Sequence, residues 1–207
     1  FIPNLVIGKV FVKAYENTGT AVISRNDDVK EVLNRDEDFE VVYGPRMRTI
    51  TGGENFFLGM QNIPRYTQDT SNMRIAIRRD DIPGIIIPAA AKQADEIVSS
   101  SGGKLDLPQA LTLQVPAQMV AEYFGTPGPT RQEMIDWTTV MFWYLFIDLQ
   151  ADPKTIARAE EAAKNCRDYL DKAIAERQAN PTDADDVLNR CLEMQAAEIP
   201  GMDDLGI

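Results

Sequence analysis

Histidine is absent from this chain of 207 residues. The commonest general base and the commonest metal ligand are therefore missing, and with them the usual catalytic triads. Cysteine is scarce. Cys166 and Cys191 are the two present, each within a segment that reads as an amphipathic helix. They make neither a disulfide framework nor a Cys-x-x-Cys pair. Basic residues are outnumbered, 21 against 32 acidic ones, for a net charge of -11. That balance excludes general nucleic-acid binding, which needs a positive field, and a surface held to anionic lipid. The longest apolar run, Val140 to Ile147, falls far short of the roughly 20 residues that span a bilayer. The opening residues show no basic leader, so a cytoplasmic location is expected. Phosphate loops are also missing, because Gly52-Gly53 lacks a spaced third glycine and a Lys-Ser/Thr pair.

What is there is ordinary globular composition, 44% apolar and 26% charged, enough for one large domain or two small ones. Lys9 to Tyr15 and Thr20 to Arg25 are rich in Val, Ile, Phe and Thr around a turn, which predicts a hairpin. Asn26 is placed to cap a short helix striped by Val29, Val32 and Leu33. Residues 36 to 64 read as a long irregular loop. It carries Phe39, Tyr43, Met47, Phe56, Phe57, Leu58 and Met60, so it packs on a core or lines a pocket. Helices follow over 65–79 and 82–100. A third has Asp106 as cap, a kink near Pro116 and a stop at Gly125. Thr130-Arg131-Gln132-Glu133 is a capping box. The stretch 154–178 has the clearest period, with Ile156, Ala159, Ala163, Cys166, Leu170 and Ile174 on one face. Thr182 is the expected cap of a last helix with Val187, Leu188, Cys191 and Leu192 inward. The ending, residues 201–207, reads as the approach to another helix. The whole is expected to be mainly α with a small β region.

Adjacent acidic pairs, Asp80-Asp81, Asp185-Asp186 and Asp203-Asp204, point about 100° apart on a helix and form no common carboxylate site. Each reads as a solvated face or a helix start. Two other features carry more. The run Trp137 to Phe146 is either a helix buried on most sides or a wall of an apolar cavity, through Met141, Tyr144 and Leu145. The cluster Arg65, Arg74, Arg78 and Arg79 is either a solvated face balanced by nearby aspartates or a site for an anionic group or acidic partner.

The order of segments resembles the first half of a bacterial cytochrome P-450. Ala21 to Arg25, the helix from Asp27 to Leu33 and then Phe39 are similar to the family's first sheet and the helix after it. GGENFFLGMQNIPRYTQDTSNMR resembles its B–C loop and the start of its C helix. VAEYFGTPGP resembles the end of its E helix, RDYLDKAIAERQANPTDADDVLNRCLE its G helix and the turn into H, and EIPGMDDLGI the lead-in to its I helix. The resemblance implies that residues 1–207 are the N-terminal portion of a single cytochrome P-450 domain, helices B to H. It implies haem b as cofactor and oxygenation of a small apolar substrate by dioxygen, with two electrons from an acidic ferredoxin-type partner. It further implies that Arg74, then Arg78, reach the haem propionates, with Tyr66 as a hydrogen-bond donor where the family has a histidine. Phe56, Phe57, Leu58, Met141, Tyr144 and Leu145 would contact the substrate. Arg78 and Arg79 would face the redox partner.

The chain departs from the family where the iron is held. Neither cysteine lies in the Phe- and Gly-rich loop that presents the thiolate, and the family's Glu-x-x-Arg pair is absent. The chain by itself is expected not to turn over. The alternative is a non-catalytic helical ligand-binding or regulatory module derived from the same fold.

Overall fold

The structure, a computed structural model, describes residues 5–7 (backbone), 12–17, 19–54 and 56–207. It is mainly helical, as the periodicity predicts. Its strand content among the described residues is one antiparallel pair, β1 (Leu5–Ile7) and β2 (Thr20–Val22), in register Leu5 with Val22. The helices are α1 (Asn26–Leu33), α2 (Gly44–Thr51), α3 (Pro64–Ala76), α4 (Ile87–Ser100), α5 (Gln114–Glu122), α6 (Arg131–Phe142), α7 (Pro153–Ala179) and α8 (Val187–Ala196).

Among the described residues, three π-helical turns adjoin these helices, at Ile82–Ile86, Pro108–Thr112 and Trp143–Ile147. Two have a proline behind them. Pro88 and Pro116 cannot donate to the carbonyl four residues back, and their rings crowd it. Those carbonyls belong to Gly84 and Thr112, within the widened turns, so the expected kink at Pro116 is a register break just ahead of it. The third turn has side chains on its carbonyls instead. Arg46 donates to the Tyr144 carbonyl, and the Tyr15 hydroxyl donates to that of Leu145 at 2.6 Å. Those acceptors are thereby satisfied outside the helix ladder.

The chain divides into two compact units. Unit 1 comprises residues 1–67 and 137–164. Its core is Met47, Tyr144, Leu145 and Ala159, with Tyr43, Ile50, Phe56, Val140, Phe146 and Ile156 packed on it. Ala159 is fully enclosed, and its small side chain admits Tyr144 and Leu145 from the π turn. The start of α7 is fixed by Asp152, whose carboxylate accepts the Thr155 N–H at 2.9 Å.

Unit 2 comprises residues 68–136 and 165–207. Ala76, Tyr123, Val187, Cys191, Met194 and Met202 form its core. The N-terminus of α8 abuts the C-terminus of α5: the Val187 and Leu188 N–H groups donate to the Tyr123 and Phe124 carbonyls. Both helix ends satisfy their orphan groups at once. Gly125 turns the chain there at φ +75°, and a Cβ would lie 2.5 Å from the Asp186 carboxylate. The Thr130 box is present, with the Glu133 N–H donating to the Thr130 hydroxyl at 3.1 Å.

Several expectations are corrected. The first strand is Leu5–Ile7, not 9–15. Of that span, residues 9–11 lie outside the described residues, and the Lys13 and Ala14 N–H groups donate to the Leu149 carbonyl. Asn26 is the first helical residue of α1 rather than its cap; Arg25 stands at the cap position and makes no capping bond from its side chain, which pairs with Asp28 at 3.6 Å. The stripe of α1 is half-buried at Val29 and Val32, and Leu33 is 77% exposed. The loop of 36–64 contains a true helix, α2, because Pro45 sits in its first turn and Gly52 ends it at φ +81°. The last helix is capped by Asp186, which accepts the Asn189 N–H at 2.8 Å. Thr182 instead accepts from the Asn189 side chain.

Candidate functional site

A cleft of about 400 Å³ opens in unit 1, within the range of small-molecule sites. Three short segments build it. The stretch after α1 gives Asp36, Phe39 and Val41. The 3-10 turn Phe57–Gly59 and the residues after it give Phe57, Leu58, Met60, Gln61 and Asn62. The first turn of α3 gives Tyr66. The 3-10 turn divides two neighbouring rings. Phe56 packs on the core with Tyr144 and Leu145, while Phe57 lines the cleft, the two centroids 4.1 Å apart. Met60 is buried beneath the cleft, and Leu58 stands exposed at its wall.

The lining of the cleft is part apolar and part polar. Phe39, Val41, Phe57, Leu58 and Met60 offer area. Asp36, Gln61, Asn62 and Tyr66 offer a carboxylate, two amides and a phenol. The nearby Arg35 is engaged elsewhere: its guanidinium pairs with Asp38 at 2.6 Å and Glu31 at 2.8 Å, and lies over the Phe39 ring at 5.5 Å.

Of the residues singled out in the sequence, Phe57, Leu58 and Tyr66 meet in this cleft. Phe56, Tyr144 and Leu145 are placed in the unit 1 core, and Met141 is half-buried on α6. Arg74 and Arg78 are exposed residues of unit 2, as is Arg79; Arg78 lies 3.9 Å from Asp185. Sequence reasoning missed Asp36, Val41, Gln61 and Asn62. The density of large apolar residues in 36–64 was the available signal for that region, and it does not select among its polar neighbours.

The acidic pairs are corrected in part. Asp81 is 8% exposed and Asp186 is also buried, so these two stand at helix starts without being solvated, while Asp80, Asp185, Asp203 and Asp204 are exposed. Asp81 accepts from Arg190 at 2.5 Å and from the Tyr123 hydroxyl at 2.9 Å. The Arg190 bond holds the Asp81 carboxyl below its usual range. Burial, and then the bond to Asp81, push the Tyr123 phenol up, so it remains a donor. Asp186 accepts from Arg177 at 2.9 Å. A helix start flanked by Arg177 and Arg190 was the sequence signal for this charge-matched packing.

No protein-family model matches the chain. It is similar to a steroid C26-monooxygenase of Rhodococcus jostii (strain RHA1), 25% identical over 203 residues. The match covers 92% of this chain and 40% of the relative. The chain thus spans about two-fifths of the length of the curated relative it matches.

A haem iron needs a strong axial donor, and the donors present do not fit that role. Cys191 is buried in the unit 2 core, and Cys166 is half-buried on α7. Burial pushes both thiols up, away from the thiolate an iron requires. No group of three or more Asp, Glu or Cys that could hold a metal occurs among the described residues. No helix among them is long and apolar enough to cross a membrane.

Proposed function

We propose that this chain is the N-terminal portion of a haem-thiolate monooxygenase of the cytochrome P-450 family, acting on a small apolar substrate. The observation that carries the reading is the match to a monooxygenase along 92% of the chain. The mainly helical architecture agrees with it, and so does an apolar-walled cleft in the segment that resembles the B–C loop. In this reading residues 1–207 belong to one P-450 domain of a bacterial, cytoplasmic enzyme. Its haem b supplies the oxygen chemistry, and its iron ligand is neither Cys166 nor Cys191. The residues of this chain bind and orient. Phe57 and Leu58, joined by Phe39, Val41 and Met60, would hold the substrate's apolar body. Phe56, Tyr144 and Leu145 would support that wall from the core, and Met141, half-buried on α6, would contact the substrate. Arg74 and Arg78 would meet the haem propionates, and Tyr66 would be a hydrogen-bond donor. Arg78 and Arg79, exposed cations in an acidic protein, would dock an acidic ferredoxin-type partner.

The apolar-walled cleft, which needs no haem, supports a second reading, a ligand-binding module of the same ancestry without catalysis. Haem content of the purified intact protein tests the first. One haem per chain is expected, with weaker retention in Arg74→Ala and a smaller loss in Arg78→Ala. A protein that takes up no haem contradicts the monooxygenase reading.

A further inference from the structure

The described residues lining the unit 1 cleft include one carboxylate, Asp36, and no cation. Two basic residues adjoin lining residues in sequence: Arg35, paired with Glu31 and Asp38, and Arg65, next to Tyr66; neither lines the cleft. The other polar lining groups, Gln61, Asn62 and Tyr66, are uncharged and lie within six residues of one another. The described lining therefore combines five apolar side chains with four polar ones, of which one is negatively charged. An anionic head group placed there would meet Asp36 with no counter-charge; a cation would gain a partner, and a hydroxyl would find amide and phenol partners.

We propose that this cleft takes an amphiphile with an apolar body and a cationic or neutral hydroxylated head, and refuses carboxylates. The inference rests on the reading of the cleft as a ligand site. It adds the head-group class that this site selects.

The test uses three probes with one tail: decyltrimethylammonium, 1-decanol and decanoate. The quaternary ammonium cannot ligate iron, so haem does not confuse the result. Binding to the intact protein is measured by equilibrium dialysis at physiological ionic strength. The ammonium is expected to bind at least about tenfold tighter than decanoate, a difference of about 1.4 kcal/mol, with decanol between them. Asp36→Asn should bring the two charged probes to within about threefold of each other. Leu58→Trp, which fills the cleft from an exposed position, should weaken all three.

Decanoate binding as tightly as the ammonium would overturn the proposal. So would a preference unchanged by Asp36→Asn, which would assign it to the general acidity of the surface. Binding untouched by Leu58→Trp places the probes elsewhere and also overturns it. Haem content of the same samples reports the parent reading separately. Haem present without head-group preference removes only this inference. Preference intact without haem removes only the monooxygenase reading.

Discussion

Each unit is fastened by a buried arginine, and the two are fastened differently. In unit 1, Arg46 is 7% exposed. It donates to the carbonyls of Tyr144 and Asp148, stacks on the Tyr144 ring at 4.5 Å and the Tyr15 ring at 5.4 Å, and has the Asp148 carboxylate only at 3.5 Å. In unit 2, Arg190 is 4% exposed and lies between two carboxylates, Asp81 at 2.5 Å and Asp185 at 2.7 Å, with the Ala76 carbonyl at 3.0 Å. Arg46 works mainly as a fork of donors that ties down the irregular π turn. Arg190 works as a charge that permits a carboxylate, Asp81, to be buried. The same residue type thus solves a backbone problem in one place and an electrostatic one in the other.

The largest expected effect is in unit 2. Arg190→Met should cost roughly 3–5 kcal/mol, because it leaves the buried Asp81 without its counter-charge. Chemical denaturation with exchange protection read on α8 measures it. Loss well under this range would mean that the carboxylate relaxes to water. Arg46→Met should cost less, roughly 2–4 kcal/mol, by leaving two carbonyls and a carboxylate short of donors. Its loss of protection should be concentrated in 143–147 and α2.

Acid separates the anchors more sharply. The bonds from Arg190 hold Asp81 and Asp185 below the ordinary value of 3.8. A lowered carboxyl contributes stability that is full above its unfolded value and is lost as pH falls through the lower folded value. The helices of unit 2 should therefore lose stability as pH drops below about 4, and Arg190→Met should flatten that slope. In unit 1 the corresponding group is the Asp152 cap, held down by the Thr155 N–H, so acid should fray the start of α7 there. Fluorescence and exchange measured from pH 6 to 3 would show both. An acid slope unchanged in Arg190→Met would break the comparison.

Smaller changes refine it. Gly125→Ala meets both a left-handed φ and the Asp186 carboxylate, and should cost roughly 1–3 kcal/mol through strain and a displaced cap. Thr130→Ala should cost about 1 kcal/mol by removing the α6 cap. Thermal melts rank the two, and the reverse order would mean that Asp186 yields freely.

The long helices were legible because their pattern is local. The step of three or four residues from Ile156 to Ile174 fixed α7, and Thr130 with Glu133 fixed the start of α6. The cleft was legible only as a region: the large apolar residues of 36–64 pointed to a core or a pocket, Phe57 and Leu58 line the cleft, and Tyr66, singled out for a haem propionate, stands beside them. The rest depended on distant partners. No local signal says that Asp81 is to be met by Arg190, 109 residues on. Nor does any say that Arg46 will take the carbonyl of Tyr144, 98 residues on. Helix α2 was hidden by its own glycines and proline, which mark its ends and read as a loop. Tyr144 and Leu145 could not be assigned to core or cavity from their spacing, because both demand the same apolar face.

The most direct test of the monooxygenase reading is the visible spectrum of the intact protein, reduced and exposed to carbon monoxide. A strongly red-shifted Soret band is predicted, the mark of a haem held by thiolate. A haem band without that shift, or a colourless protein, would contradict it and leave a ligand-binding module with the shape of the family and none of its oxygen chemistry.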